Sequence, residues 1–239
     1  MLYFLAQLSL AVPTDVALNA ISKAVHSEIS PKILDLNKAF EAGIASGKPA
    51  NLASLSDTIK QVRVHIQKVL GDIKHEISLS TAILQIFGRK LTLTTLGDTL
   101  QTDDHFLSAM AQVIASGRFP AYKNSKVVQS ITDGLSSKFS VILRHVFDAD
   151  LFIQTDLSNP NHHGATSITE ETKKKVQHDL DEIVKLATAA KDEAARGYAE
   201  EAKKMQAANK VINLWQKYQI ENKLALFDMY IEFAKGVKL

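Results

Sequence analysis

His105, His145, Asp148 and Asp150 are the residues of this chain whose types and closeness could do acid–base or metal chemistry. An imidazole beside a carboxylate can pass a proton, and two such groups can begin a metal site. His105 also follows Asp103 and Asp104 directly, and His75 precedes Glu76. None of these sets has a third ligand at local spacing. His162 and His163 are adjacent, so their side chains diverge. His65 and His75 stand nearly three helical turns apart, too far to share an ion. The chain has no phosphate-cradling glycine loop, HExxH, GxSxG or calcium loop. It has no cysteine, which excludes disulfides, thiolate ligands and thiol nucleophiles. An enzyme reading therefore needs a site assembled from scattered residues, with the four named above as the place to search. No cofactor and no metal is implied.

The other chemistry open to this chain is burial of apolar surface on a partner. "FSVILRHVFDADLFIQ" (Phe139–Gln154) is the most apolar internal stretch. Phe139, Val141, Ile142, Phe147, Leu151 and Phe152 are its candidate contacts with a ligand or membrane, and Trp215 and Tyr218 are candidates near the C-terminus. Phe227 and Tyr230 are further anchors of the same kind. Arg144, His145, Asp148 and Asp150 interrupt the stretch, and burying them in lipid would cost several kcal/mol.

Composition narrows the partners. The 239 residues carry 28 basic and 26 acidic side chains, a net charge of +2, unlike the dense basic surface of a nucleic-acid binder. Aromatics are 7 %, few for a protein that stacks rings on bases or sugars. The lysine runs Lys173–Lys175 and Lys203–Lys204 read as solvated helix faces, with weak attraction to anionic lipid as the sharper alternative.

Helical periodicity must position these groups. Leu55, Ile59, Val62, Ile66, Val69, Ile73, Ile77, Ser80, Leu84 and Phe87 step by four and three, a heptad stripe with one stutter. The stripe predicts a helix over about 52–87. From Ser167 as cap, with Glu170 completing a capping box, the same spacing runs through Val176, Leu180, Ile183, Ala187, Ala190 and Ala194 toward Trp215. It predicts one long helix over 167–235, or two with a break near Gly197 or Asn209. The end, "LWQKYQIENKLALFDMYIEF", is apolar on more than one face and belongs in deep packing. Thr14–Ala45 is amphipathic, and Pro31 kinks it or starts a new helix. Residues 88–166 read as a more irregular, more apolar insertion. Helices are expected at Asp103–Ser116 and Ser125–Phe147, with a minor β element from "KLTLTTL" (Lys90–Leu96) or "DLFIQT" (Asp150–Thr155).

"MLYFLAQLSLA" at residues 1–11 has the apolar length and small-residue ending of an export signal, without a basic residue before it. The chain thus reads as a secreted all-α protein, residues 12–239 forming one elongated helical bundle after that signal. Its expected role is non-enzymatic binding, through apolar helix faces, of a lipid, hydrophobic ligand or protein partner. Nucleic acid is not expected. A membrane surface and a coiled-coil homo-oligomer are compatible with the stripes. The layout of long helices around an apolar insertion is similar in outline to α-helical pore-forming toxins, which makes a membrane-active head at 139–154 the alternative. An all-α enzyme is the third class.

Overall fold

The computed structural model describes residues 15–46, 52, 54–79, 87–160 and 167–239. The expected export signal, His162 and His163, and Ser80 and Leu84 of the stripe lie outside them. The protein is an all-α helical bundle. Its elements are α1 (Val16–Lys23), a π turn (Ala24–Ile29), α2 (Ser30–Ala45), α3 (Leu55–Ser78), α4 (Phe87–Ser116), β1 (Tyr122–Lys123), α5 (Lys126–Leu157), α6 (Glu170–Ala207), β2 (Val211–Ile212) and α7 (Leu214–Gly236).

Two helices form the centre. α7 buries residues on several faces, including Ile220, Leu226, Phe227, Tyr230 and Ile231, as its pattern requires. α4 does the same through Leu91, Leu93, Leu96, Leu100, Phe106, Leu107 and Met110. α4 packs on α7, and the amphipathic helices lie around them: α3 and the α1–α2 arm on α4, α6 on α7, and α5 against α4, α6 and α7. α3 buries Ile59, Val62, Ile66, Val69 and Ile73, the expected stripe. The alanines of α6, Ala187, Ala190 and Ala194, are buried, and α6 packs along α5 and α7. Small side chains let neighbouring helices approach closely.

Several expectations are corrected. The insertion at 88–166 is not irregular: α4 and α5 fill most of it. "KLTLTTL" is helical, within α4, and Thr92, Thr94 and Thr95 return their hydroxyls to the carbonyls of Gly88, Lys90 and Leu91 one turn back, at 2.8–2.9 Å. That bond satisfies a β-branched polar side chain inside a buried helix. "DLFIQT" is helical too, within α5. The minor β element expected in the insertion is present at another place, Tyr122–Lys123, in a two-residue parallel pair with Tyr122 opposite Val211 and Lys123 opposite Ile212. Of the two readings of 167–235, the structure shows two helices with the break near Asn209. α6 ends at Ala207, and Asn209 takes a left-handed φ of 53°, a conformation asparagine tolerates better than most residues. The cap of α6 is Thr169, whose hydroxyl accepts from the Thr172 N–H, rather than Ser167. Of the expected helix over 52–87, Leu55–Ser78 forms α3, and Phe87 is the first residue of α4.

Pro31 neither stops nor restarts its helix at a capped end. Proline cannot donate to a carbonyl one turn back, and its ring crowds that carbonyl. The chain widens into the π turn just before it, and the Ser30 N–H reaches the Val25 carbonyl five residues back. Part-buried ion pairs anchor this arm. Arg89 on α4 binds both Asp15, the cap of α1, and Glu76 at the end of α3, all less than a fifth exposed. Burial alone would raise the Asp15 pKa, but the Arg89 and backbone hydrogen bonds outweigh it and hold the carboxyl below its usual range.

Two glycines separate close approach from open surface. A Cβ on Gly43 would lie 2.8 Å from Leu52 Cγ and closer to its Cδ2, whereas one on Gly71 meets nothing within 4 Å. Gly43→Ala should therefore destabilise by about 1–3 kcal/mol through overpacking. Gly71→Ala, inside exposed helix, should stabilise by about 0.5–1 kcal/mol. Urea denaturation of the two variants beside the parent reads both signs.

Candidate functional site

α1–α2, α4, α5 and α7 do not close completely on one another. They enclose a cavity of about 450 Å³, within the range of small-molecule sites. One wall is the π turn and the start of α2: Val25, His26, Pro31, Ile33 and Leu34. α7 supplies Trp215, Tyr218, Asn222 and Lys223 at helical spacing. α4 supplies Thr99 and Asp103, and α5 supplies Gln129, Thr132, Asp133 and Ser136. Leu34, Gln129 and Asp133 are exposed at the rim, while Thr99, Asp103 and Asn222 are buried.

Local sequence explains the opening. The extra residue of the π turn displaces the arm where a regular helix would continue. Facing it, α5 carries small polar residues where its neighbours would bring leucines. Thr132 and Ser136 turn their hydroxyls to the carbonyls of Val128 and Thr132, at 2.8 and 3.1 Å. The α7 wall is set by the turn before it. Asn213 caps α7 by accepting from the Trp215 and Gln216 N–H groups. Gln216 then both accepts from the Ser125 N–H and donates to the Ser125 carbonyl, at 2.7 and 3.0 Å. Ser125 caps α5, so one residue pair sets the starts of both helices. Trp215, Tyr218 and Phe106 pack as an aromatic cluster with ring centroids 4.6–5.4 Å apart, which holds the indole at the cavity wall.

The ionisable groups here are largely matched within the protein. The Tyr218 hydroxyl donates to Asp103 Oδ1. Burial pushes the Asp103 carboxyl up to about 7, with the Tyr218 hydrogen bond opposing that rise. Burial first, then the Asp103 charge, pushes the Tyr218 phenol well above its ordinary value, so it stays protonated. Lys223 Nζ donates to Ser136 Oγ at 2.7 Å; burial lowers its pKa and the Asp133 charge opposes that. Burial lowers the His26 pKa, which leaves a neutral ring at neutral pH.

Three residues that line this cavity each carry a buried polar atom with no hydrogen-bond partner among the described residues: His26 Nε2, Thr99 Oγ1 and Asn222 Nδ2. A fourth such atom, Asn37 Oδ1, lies elsewhere on α2. Thr99 departs from its neighbours on α4, since Thr92, Thr94, Thr95 and Thr102 all bond one turn back. Buried polar groups without partners are uncommon in folded proteins, and three at one cavity make it the candidate site.

The structure disperses the residues singled out for acid–base work. His145 Nδ1 pairs with Asp179 of α6 at 2.8 Å, and Asp150 accepts from the Gly88 N–H at the start of α4. His105 lies on an exposed flank of α4, two residues from Asp103 and so on the opposite side of the helix. Asp104 forms a two-bond pair with Arg63, at 2.8 and 3.1 Å. Among the described residues no group of three or more His, Asp or Glu could hold a metal ion.

The apolar candidates divide in the same way. Ile142 is buried; Phe139 packs on Phe227 and Tyr230; Phe147 and Phe152 are half-buried against the core, Phe152 beneath Lys175. Val141 and Leu151 are exposed singly. Residues 139–154 are thus one packed side of α5 rather than an apolar patch. Among the described residues no helix is long and apolar enough to cross a membrane. Trp215 and Tyr218 do line the cavity, but Phe227 and Tyr230 are core, each about 1 % exposed.

Sequence reasoning missed His26, Thr99, Asn222 and Lys223. A signal was present: Asn222 continues the Trp215–Tyr218 stripe, and Thr99 and Asp103 stand one turn apart among leucines. Polar residues at core register mark a satisfied network or a site, and spacing alone does not separate the two. No protein-family model matches the chain, and comparisons with curated proteins and with solved structures give no match.

The Asp103 pKa carries a pH dependence of stability. The folded value, about 7, lies above the ordinary carboxylate value, so the folded state holds a proton that the unfolded chain has released. Stability should fall as pH rises from about 4 to about 7 and level off above, by a few kcal/mol at most. Asp103→Asn, which keeps an acceptor for Tyr218, should flatten that part of the profile. Urea midpoints across this pH range, parent against variant, measure it.

Proposed function

We propose that this protein is a non-enzymatic binding protein that holds a small, mainly apolar ligand in the cavity between the α1–α2 arm, α4, α5 and α7. The observation that carries the reading is an apolar, partly open cavity of about 450 Å³ between facing helices, walled by Trp215 and Tyr218 with a few polar side chains beside them. Pockets for small ligands are built this way, with apolar walls for affinity and a few polar groups for orientation. Helical bundles commonly place ligand sites between facing helices. The binding mechanism is removal of apolar ligand surface from water, at about 25 cal/mol per Å². The same reading takes the protein to be secreted, with residues 1–11 as the signal; the intact mass of the exported protein should begin at Val12.

Trp215 is the single tryptophan of the chain and lines the cavity, so it reports occupancy directly. Titration with the uncharged apolar dye N-phenylnaphthylamine should quench Trp215 emission saturably, near one dye per chain. Ser136→Phe, which puts a ring into the cavity, should remove the saturable signal. Quenching that survives Ser136→Phe would move binding elsewhere. Leakage from vesicles without any dye binding would favour the membrane-active alternative.

A further inference from the structure

We infer that the ligand of this cavity is an apolar molecule ending in a carboxylate, which pairs with the Lys223 ammonium on the cavity wall. This deepens the binding reading and rests on it. Lys223 is the one lysine or arginine among the residues that line the cavity. Its ammonium carries three N–H donors, and one of them goes to Ser136 Oγ, at 2.7 Å. That acceptor is neutral, and its own proton goes to the Thr132 carbonyl, at 3.1 Å. The contact therefore orients the ammonium without compensating its charge. Lysines elsewhere on α5, α6 and α7 are treated differently: Lys138 pairs with Glu193, Lys191 with Asp228 and Lys217 with Glu221. Lys223 has no carboxylate at ion-pair distance among the described residues.

The other charges facing the cavity do not take that place. Asp133 is exposed at the rim, where it accepts from Gln129 Nε2 at 3.0 Å, and its charge acts on Lys223 only from beyond contact. Solvent screens that charge. Asp103 is committed to the Tyr218 hydroxyl. Burial keeps the His26 ring neutral at neutral pH. An ammonium taken partly out of water without a counter-ion is costly, and an anion brought by a ligand offsets that cost. Each ligand class meets this wall differently. A carboxylate accepts from the ammonium in a charge-assisted bond, roughly twice as strong as a neutral one. An alcohol can accept one bond but brings no charge. An amine brings a like charge beside Lys223. The apolar body lies along Val25, Pro31, Ile33 and Trp215, which gives the ligand its two ends.

The test compares three probes of one chain length, octanoate, octanol and octylamine, by Trp215 emission and by calorimetry. It is run at pH 6, where Asp103 is mostly protonated. Octanoate should bind about tenfold more tightly than either of the others. Lys223→Met, which keeps the unbranched side chain and removes the charge, should erase that advantage and leave octanol binding in place. Asp133→Asn, an exposed change that does not put folding at risk, should tighten octanoate about twofold and leave octanol unmoved. Octanol or octylamine binding as tightly as octanoate would overturn the inference and leave the binding reading standing. An octanoate advantage that neither substitution alters would overturn it as well. No response to any of the three probes, together with no N-phenylnaphthylamine binding, would overturn the binding reading itself.

Discussion

The hydrogen bond from Tyr218 to Asp103 joins the two central helices, and the remaining structure is arranged around that junction. α4 and α7 are apolar on several faces and must be surrounded. A carboxyl placed between them has lost its water, and the phenol supplies its hydrogen bond. The phenol ring in turn packs with Phe106 and Trp215, so the polar contact and the aromatic cluster hold the same pair of helices. The outer helices then complete the burial, each with one apolar stripe.

The cavity follows from how the arm meets this centre. Proline at position 31 removes a donor within a helix that otherwise continues, and the π turn is the local solution. The wider turn faces threonine and serine on α5 instead of large aliphatic side chains. Space therefore remains where a bundle with regular helices and leucines at those positions would have closed. Thr99 and Asn222 occupy core register beside this space, and in a closed core their orphaned groups would be a pure cost.

The turn end of the bundle keeps the cavity walls in register. Gln216 holds Ser125 through two hydrogen bonds, Ser125 also donates to Glu201, and the short parallel strands lie alongside. Three helices, α5, α6 and α7, are thereby tied at one end. Asn213 adds a bond from its amide to Glu41 of the arm, at 3.0 Å. The side chains that line the cavity from α5 and α7 thus issue from helix starts set by direct contact.

Periodicity by itself determined the helical class, the buried stripe of α3, the buried register of α6 and the deep packing of α7. These depend on the spacing of apolar residues along one helix, which any sequence displays directly. The tertiary structure decided the rest. "KLTLTTL" has strand propensity, yet it is helix where it packs beside α7, with its threonine hydroxyls satisfied one turn back. The long C-terminal pattern continues across Asn209, and only pairing of Val211–Ile212 with Tyr122–Lys123 places the break there rather than at Gly197. Of the candidate contacts, Trp215 and Tyr218 reach the cavity while Phe139 and Ile142 are packed inward, a distinction that depends on which helices face each other. His26, Thr99 and Asn222 come from three distant segments, and no local spacing relates them. Their meeting at one cavity is a property of helix packing, where long-range contacts set distances that the chain order does not encode.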